Sequence, residues 1–147
     1  MKIRDYKKSD KEEIIEMVKG ILGDIFNGDP NKFKVLKEFD VTKDYIKYLV
    51  AETQGEGRKI IGTMTIKKIN NKIVRLKRMY VRPDYRGRGI AQKMLDILVK
   101  FAKQKGYKKM LLHTYPIMEN AMRFYKKNGF VESTGDDPEQ IHVEKVL

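Results

Sequence analysis

The sequence predicts a mixed α/β fold of the α+β kind: a mostly antiparallel central sheet flanked by helices. Three observations carry that expectation. Extended runs at 46–52, 59–69 and 72–81 follow one another with only GEG and NN turns between them, which is hairpin connectivity. Helical patterns lie on either side of that block, so helices are available for both sheet faces. The order is too irregular for doubly wound βαβ repeats. At 147 residues the chain is expected to form one domain, 1–147, with room for one substantial core.

The elements are justified in order. KIRDY is a short first strand. Ser9 followed by Glu12 has the spacing of a capping box, and Ile14, Ile15, Val18, Ile21, Leu22 and Ile25 then recur at helical spacing, weakened by Gly20 and Gly23. GDPN at 28–31 is a turn, followed by short helical stretches around 31–38 and 42–47. The three hairpin-linked strands come next. Ile90, Ala91, Met94, Leu95, Leu98, Phe101 and Ala102 form one face of a helix that Gly106 should cap. KKMLLHT is a buried strand. A helix over 117–127 buries Met118, Ala121, Met122 and Tyr125, and GFVES and QIHVEKVL close the sheet.

Composition removes several chemistries. With no Cys there is no disulfide, thiolate metal site or acetyl-cysteine route. The two His and the absence of a Gly-x-Ser-x-Gly elbow argue against a His-rich metal site and a serine hydrolase. No apolar run approaches a membrane span, and MKIRDYKKSDKEE stays polar where a signal peptide would be apolar, so a cytoplasmic protein without membrane association is expected. The net charge of +12 either attracts acidic ligands or reflects general Lys richness; the even spread of Lys along the chain favours the second reading. No nucleic-acid-binding module is recognisable.

The chemistry concentrates in LKRMYVRPDYRGRGIAQKML, residues 76–95. A strand stops at Pro83, a loop of Arg86, Gly87, Arg88 and Gly89 follows, and Ile90 and Ala91 open a helix. Free N–H groups at a helix start, the helix dipole and nearby Arg suit a phosphate or pyrophosphate. Gly87 and Gly89 let the backbone bend and approach a ligand. The loop is neither a Walker A motif nor a dinucleotide fingerprint, because Gln92 stands at the third glycine position. Without a ligand it is simply a basic strand-to-helix turn.

Taken with MENAMRFYKKNGFVE, residues 118–132, this loop resembles the GCN5-related N-acetyltransferase (GNAT) family. Arg86, Gly89 and Ala91 fill the family's loop pattern, and Tyr125 lies four residues before the Gly129–Phe130 pair. The resemblance implies the acyl-CoA N-acyltransferase fold and acetyl-CoA as cosubstrate, with no metal. Arg86, Gly87, Arg88, Gly89, Ile90 and Ala91 would hold the pyrophosphate. Met79, Tyr80 and Val81 would form a strand bulge whose backbone pairs with the pantetheine arm. Many members place an Asn seven residues before the Tyr; here that position is Met118, and Asn120 does not inherit the role. His113 replaces the Asp of a Leu-Asp-Thr strand end, and Arg75 stands where relatives often carry Glu.

The implied reaction is direct acetyl transfer to a primary amine in a ternary complex. A phenol, pKa about 10, can protonate a leaving thiolate of about 8.5, which makes Tyr125 the expected acid; its alternative is a core tyrosine. Glu38, Glu52, Glu132 and His113 are candidate bases. Arg75, Lys77, Arg78 and Arg82 are candidates to grip an acceptor carboxylate, or else an ordinary charged sheet face. A small-molecule amine is the expected acceptor. A protein N-terminus or lysine is the alternative within the same chemistry, and a non-catalytic CoA-binding sensor is the alternative outside it. A homodimer is left open.

Overall fold

The computed structural model describes residues 1–25, 44–114 and 119–147. The expected turn at 28–31 and helical stretch at 31–38 fall outside them. The described elements are β1 (Lys2–Asp5), α1 (Lys11–Ile25), β2 (Tyr45–Glu52), β3 (Ile60–Lys68), β4 (Ile73–Val81), α2 (Ile90–Gln104), β5 (Lys109–Thr114), α3 (Glu119–Lys127), β6 (Val131–Ser133) and β7 (Ile141–Val146). The strands form one sheet in the order β1-β2-β3-β4-β5-β7-β6. Only the β4–β5 step is parallel; the other steps are antiparallel. The expected mixed, mostly antiparallel sheet is therefore the observed one.

Two apolar layers cover the sheet. On one face, Ile90, Met94, Leu95, Leu98 and Ala102 of α2 pack on Leu49, Ala51, Ile61, Met64, Ile66, Val74 and Leu76, and Tyr125 and Phe130 extend the same core over Met110, Leu112 and Val143. On the other face, Ile14, Met17, Val18, Ile21 and Leu22 of α1 pack on Val50 and Ile60. Glu13 adds a polar tie, accepting the Ile60 N–H at 2.6 Å. Gly62 marks the tightest approach of α2 to the sheet, since a Cβ there would meet the Tyr80 carbonyl oxygen at 3.1 Å and Met94 Cε at 3.3 Å.

Two expectations are corrected. The segment at 42–47 is not helical where it is described: β2 starts at Tyr45, and Tyr45 and Tyr48 point their rings at the Arg78 guanidinium. The start of α1 is organised by Asp10 rather than by Ser9 and Glu12. Asp10 Oδ2 accepts the Lys7 N–H at 2.8 Å, closing a short 3-10 turn over Lys8–Asp10. Both Asp10 oxygens also accept from the Arg4 guanidinium at 2.8 Å. That bidentate pair outcompetes a serine hydroxyl as the local organiser. The end of α2 is as expected: Gly106 has φ +89°, and the Tyr107 N–H reaches back to the Ala102 carbonyl at 3.0 Å.

Candidate active site

The Arg/Gly loop leaves the sheet at Val81. The Arg82 N–H donates to the Ile61 carbonyl (2.8 Å) and Arg82 Nε to the Ile60 carbonyl (2.6 Å), fixing the exit. Pro83–Tyr85 form a 3-10 turn, Arg86 Nε holds the Val81 carbonyl at 3.0 Å, and Arg88 stacks on the Tyr85 ring at 4.9 Å. Gly87 (φ +76°) and Gly89 (φ +78°) are both left-handed, and a Cβ on either would meet nothing within 4 Å. The surface above them is therefore open. The first bond of α2 is Lys93 N–H to the Gly89 carbonyl, so the N–H groups of Gly89, Ile90, Ala91 and Gln92 have no acceptor within the helix. A cluster of unmatched donors at the positive end of a helix fits a pyrophosphate.

β4 carries the bulge the resemblance implied, but displaced toward its start. Thr65 pairs with Lys77 and Thr63 with Tyr80, so Met64 alone opposes Arg78 and Met79. Arg78 has φ +53°, and its carbonyl accepts from the Thr63 hydroxyl at 2.9 Å. The bulge reverses the alternation of the strand. Val74 and Leu76 lie in the α2-side core, and after the bulge so do Met79 and Val81, while Tyr80 joins the α1 side. The sequence carried that signal, because the two apolar pairs are out of phase by one residue.

Next to the bulge the sheet opens. β4 and β5 pair only through Ile73–Lys109, Val74–Met110 and Arg75–Leu111. Beyond Arg75 the strands have parted, which leaves the Leu76–Val81 edge of β4 without strand partners on that side. Tyr125 of α3 stands in the core beside this opening, 3% exposed, edge-on to Phe124 and Phe130. Among the described residues its hydroxyl has no hydrogen-bond partner. Burial, aided by Tyr80, raises its pKa, so the phenol keeps its proton through the neutral range. Gln92, unexpected in any role, ties α2 to α3 through reciprocal amide bonds with Asn128 at 2.7 and 3.0 Å.

The four basic residues proposed as carboxylate grips divide into two pairs. Arg78 is buried against the Tyr45 and Tyr48 rings, and Arg82 is bound to the Ile60 carbonyl; both are structural. Arg75 and Lys77 lie on the opposite sheet face from Val74 and Leu76, next to His113 of β5 and His142 of β7. The two rings are 5.9 Å apart, and His142 Nε2 sits 3.1 Å from the Asp137 carbonyl. His113 is half-buried, and burial lowers its pKa, with Arg75, Lys77 and His142 acting in the same direction.

Of the candidate bases, Glu52 is buried and ion-paired to Arg4 (3.1 Å) and Arg58 (3.5 Å), far from the opening in the sheet order. Arg4 holds it below the usual carboxylate range. Glu132 is exposed on β6 at the sheet edge. Glu38 and Met118 lie outside the described residues. That leaves His113 beside the opening. A groove of about 360 Å³ runs along α2 past Asp96, Lys100 and Lys103 to Asn128 and Lys145, but contains none of the expected site residues.

The parted strands, the bulge and the open helix start together define an acyl-CoA-type acyltransferase fold. The family model for the acetyltransferase (GNAT) family matches residues 15–130, and the chain belongs to that family. It is similar to a GNAT-family acetyltransferase structure from Staphylococcus aureus Mu50 (TM-score 0.84, 25% identity, 99% of this chain and 98% of that one). The PaiA N-acetyltransferase of Thermoplasma acidophilum, solved in complex with coenzyme A, is as close in sequence (TM-score 0.79, 25% identity, 99% and 98%). Among curated proteins, human N-acetyltransferase 8B is 31% identical over 62% of this chain but only 43% of its own length. This chain thus spans less than half of such relatives. The IAA acetyltransferase of Azospirillum brasilense is 28% identical over 92% of this chain and 89% of its own.

Proposed function

We propose that this chain is an acetyl-CoA-dependent N-acetyltransferase that transfers the acetyl group directly to the primary amine of a small molecule. The observation that carries this reading is the opening between β4 and β5, flanked by the bulge, by Tyr125 and by the unmatched amides at the start of α2. Family membership and the likeness to a CoA-bound N-acetyltransferase support it.

Acetyl-CoA, when bound, supplies an activated thioester and a leaving thiolate. The amides of Gly87 to Gln92 would hold its pyrophosphate. The unpaired β4 edge around Met79, Tyr80 and Val81 offers backbone donors and acceptors for the pantetheine arm and the acetyl carbonyl. Tyr125, protonated at neutral pH, is the proton donor for the leaving sulfur. His113, kept neutral by burial and by its basic neighbours, is the proton acceptor for the incoming ammonium, directly or through water.

The test is a panel of primary amines scored by CoA release, with mass confirmation of the N-acetylated product. Direct transfer predicts intersecting initial-rate lines. Parallel lines with an isolable acetyl-enzyme contradict it. Activity confined to peptide N-termini or lysines would move the acceptor class to proteins. Tight acetyl-CoA binding with no release across the panel would leave a CoA sensor.

A further inference from the structure

We propose that the acceptor amine carries a carboxylate, and that Arg75 is the residue that reads it; this deepens, and rests on, the acetyltransferase reading above. Arg75 pairs with Leu111, the last paired position before β4 and β5 separate, so it stands at the closed end of the opening. Its Nε is buried and has no hydrogen-bond partner. A buried guanidinium donor left unmatched is costly, and no pairing among the described residues relieves it.

The surroundings sharpen the demand for an anion. His113, Lys77 and His142 share this face with Arg75, and all three other groups push the charge of His113 the same way. Among the described residues, the nearby acids do not compensate Arg75. Glu144 faces Lys109 at 3.5 Å, and Asp137 is the weakest influence on His113, its carboxylate accepting the Glu139 N–H at 2.9 Å. A polycationic acceptor would meet like charge here. A carboxylate would match the planar fork of Arg75 and place the amine of the same molecule toward His113. Arg78 Nε is likewise buried and makes no hydrogen bond, but its guanidinium is packed on the Tyr45 and Tyr48 rings at the bulge, and Arg82 Nε is bound to the Ile60 carbonyl, so Arg75 is the one at the closed end of the opening.

The experiment compares free amino acids with their carboxamides, together with simple diamines, in wild type and Arg75→Gln. Wild type is expected to favour acids over amides by at least tenfold in kcat/KM. The bias of the comparison runs the other way, because amide amines are less basic and more available as free base. Arg75→Gln should erase that preference, mainly by raising KM for the acids. Loss on the amides, which comes only through the influence of Arg75 on His113, should be much smaller than on the acids, and the thermal shift with acetyl-CoA should stay as in wild type. Arg75→Lys, which keeps the charge without the fork, should fall between, and serves if Gln impairs folding. Equal use of acids and amides, a preference for diamines, or equal loss on both in Arg75→Gln would overturn the proposal. If no amine releases CoA, the acetyltransferase reading fails separately. The carboxylate site is then read by the melting shift of CoA-loaded protein with N-acetyl amino acids against their amides. A shift with the acids that Arg75→Gln abolishes supports the site; no shift overturns it.

Discussion

At the residue scale, Tyr125 is either a reacting group or packing, and its hydroxyl decides between them. Because that hydroxyl has no partner among the described residues, Tyr125→Phe should fold at or slightly above wild-type stability in urea titrations, and bind acetyl-CoA normally. As the acid, it should lose roughly 10²–10⁴-fold in rate. Unchanged turnover at every pH tested would assign Tyr125 to the core alone. His113 gives a pH signature. Its folded pKa lies below the ordinary 6.5, pushed there by burial and by Arg75, Lys77 and His142 against the weak pull of Asp137. It is therefore mostly neutral above 6.5, and the rate it supports should fall as pH drops below that value through the lowered folded pKa. In His113→Gln that acidic limb should vanish from the log kcat profile, with a lower plateau; an unchanged profile would remove His113 as the base. Tyr125 and the loop glycines were legible in the sequence because their signals are local spacings. The fates of Arg78 and Arg82 were not, because their partners lie across strands, 22 residues away in the case of Arg82 and Ile60.

At the scale of elements, β1, the turn that leads into α1, and β2 are joined by one guanidinium. Arg4 holds Asp10 with two bonds of 2.8 Å and Glu52 at 3.1 Å, and both carboxylates are nearly buried. The pairing lowers both pKa values, Arg4 being the largest cause in each case. Stability from this cluster is present above the ordinary values of 3.8 and 4.5 and is lost as pH falls through the lower folded ones. Arg4→Met should cost about 3 kcal/mol at neutral pH by stranding buried charge. In denaturant titrations across pH, the gap between variant and wild type should close in strong acid. A constant gap would mean that Arg4 acts by packing. Most elements were readable from apolar periodicity. The start of α1 was misread because Ser9 and Glu12 carry the familiar spacing, whereas Asp10 acquires its role only through a tertiary partner.

For the whole molecule, cosubstrate binding should appear as stability. Acetyl-CoA at a hundredfold excess over its dissociation constant should add about 2.7 kcal/mol, a melting shift of roughly 5–10 °C. Gly89→Trp should remove the shift, since it puts a bulky side chain over the open amides and strains a position at φ +78°. No shift in the wild type would sink the cofactor assignment. No helix among the described residues is long and apolar enough to cross a membrane. The architecture was legible because hairpin turns and two amphipathic faces leave few ways to build one sheet. The parting of β4 from β5 was not, because both strands keep a strand-like pattern past Arg75 and Leu111 and nothing local marks where pairing stops.

The bulge at Arg78 also sets how this chain can be recombined. Because β4 changes phase there, its two halves obey opposite parity rules. Straightening the strand with Arg78 retained would turn Met79 and Val81 toward α1 and Tyr80 toward α2, whereas deleting Arg78 would give a regular strand that keeps all three on their present faces. Chimeras with a relative should therefore tolerate a crossover before Leu76 or after Val81. A junction between those positions succeeds only if both parents count the same number of residues through the bulge.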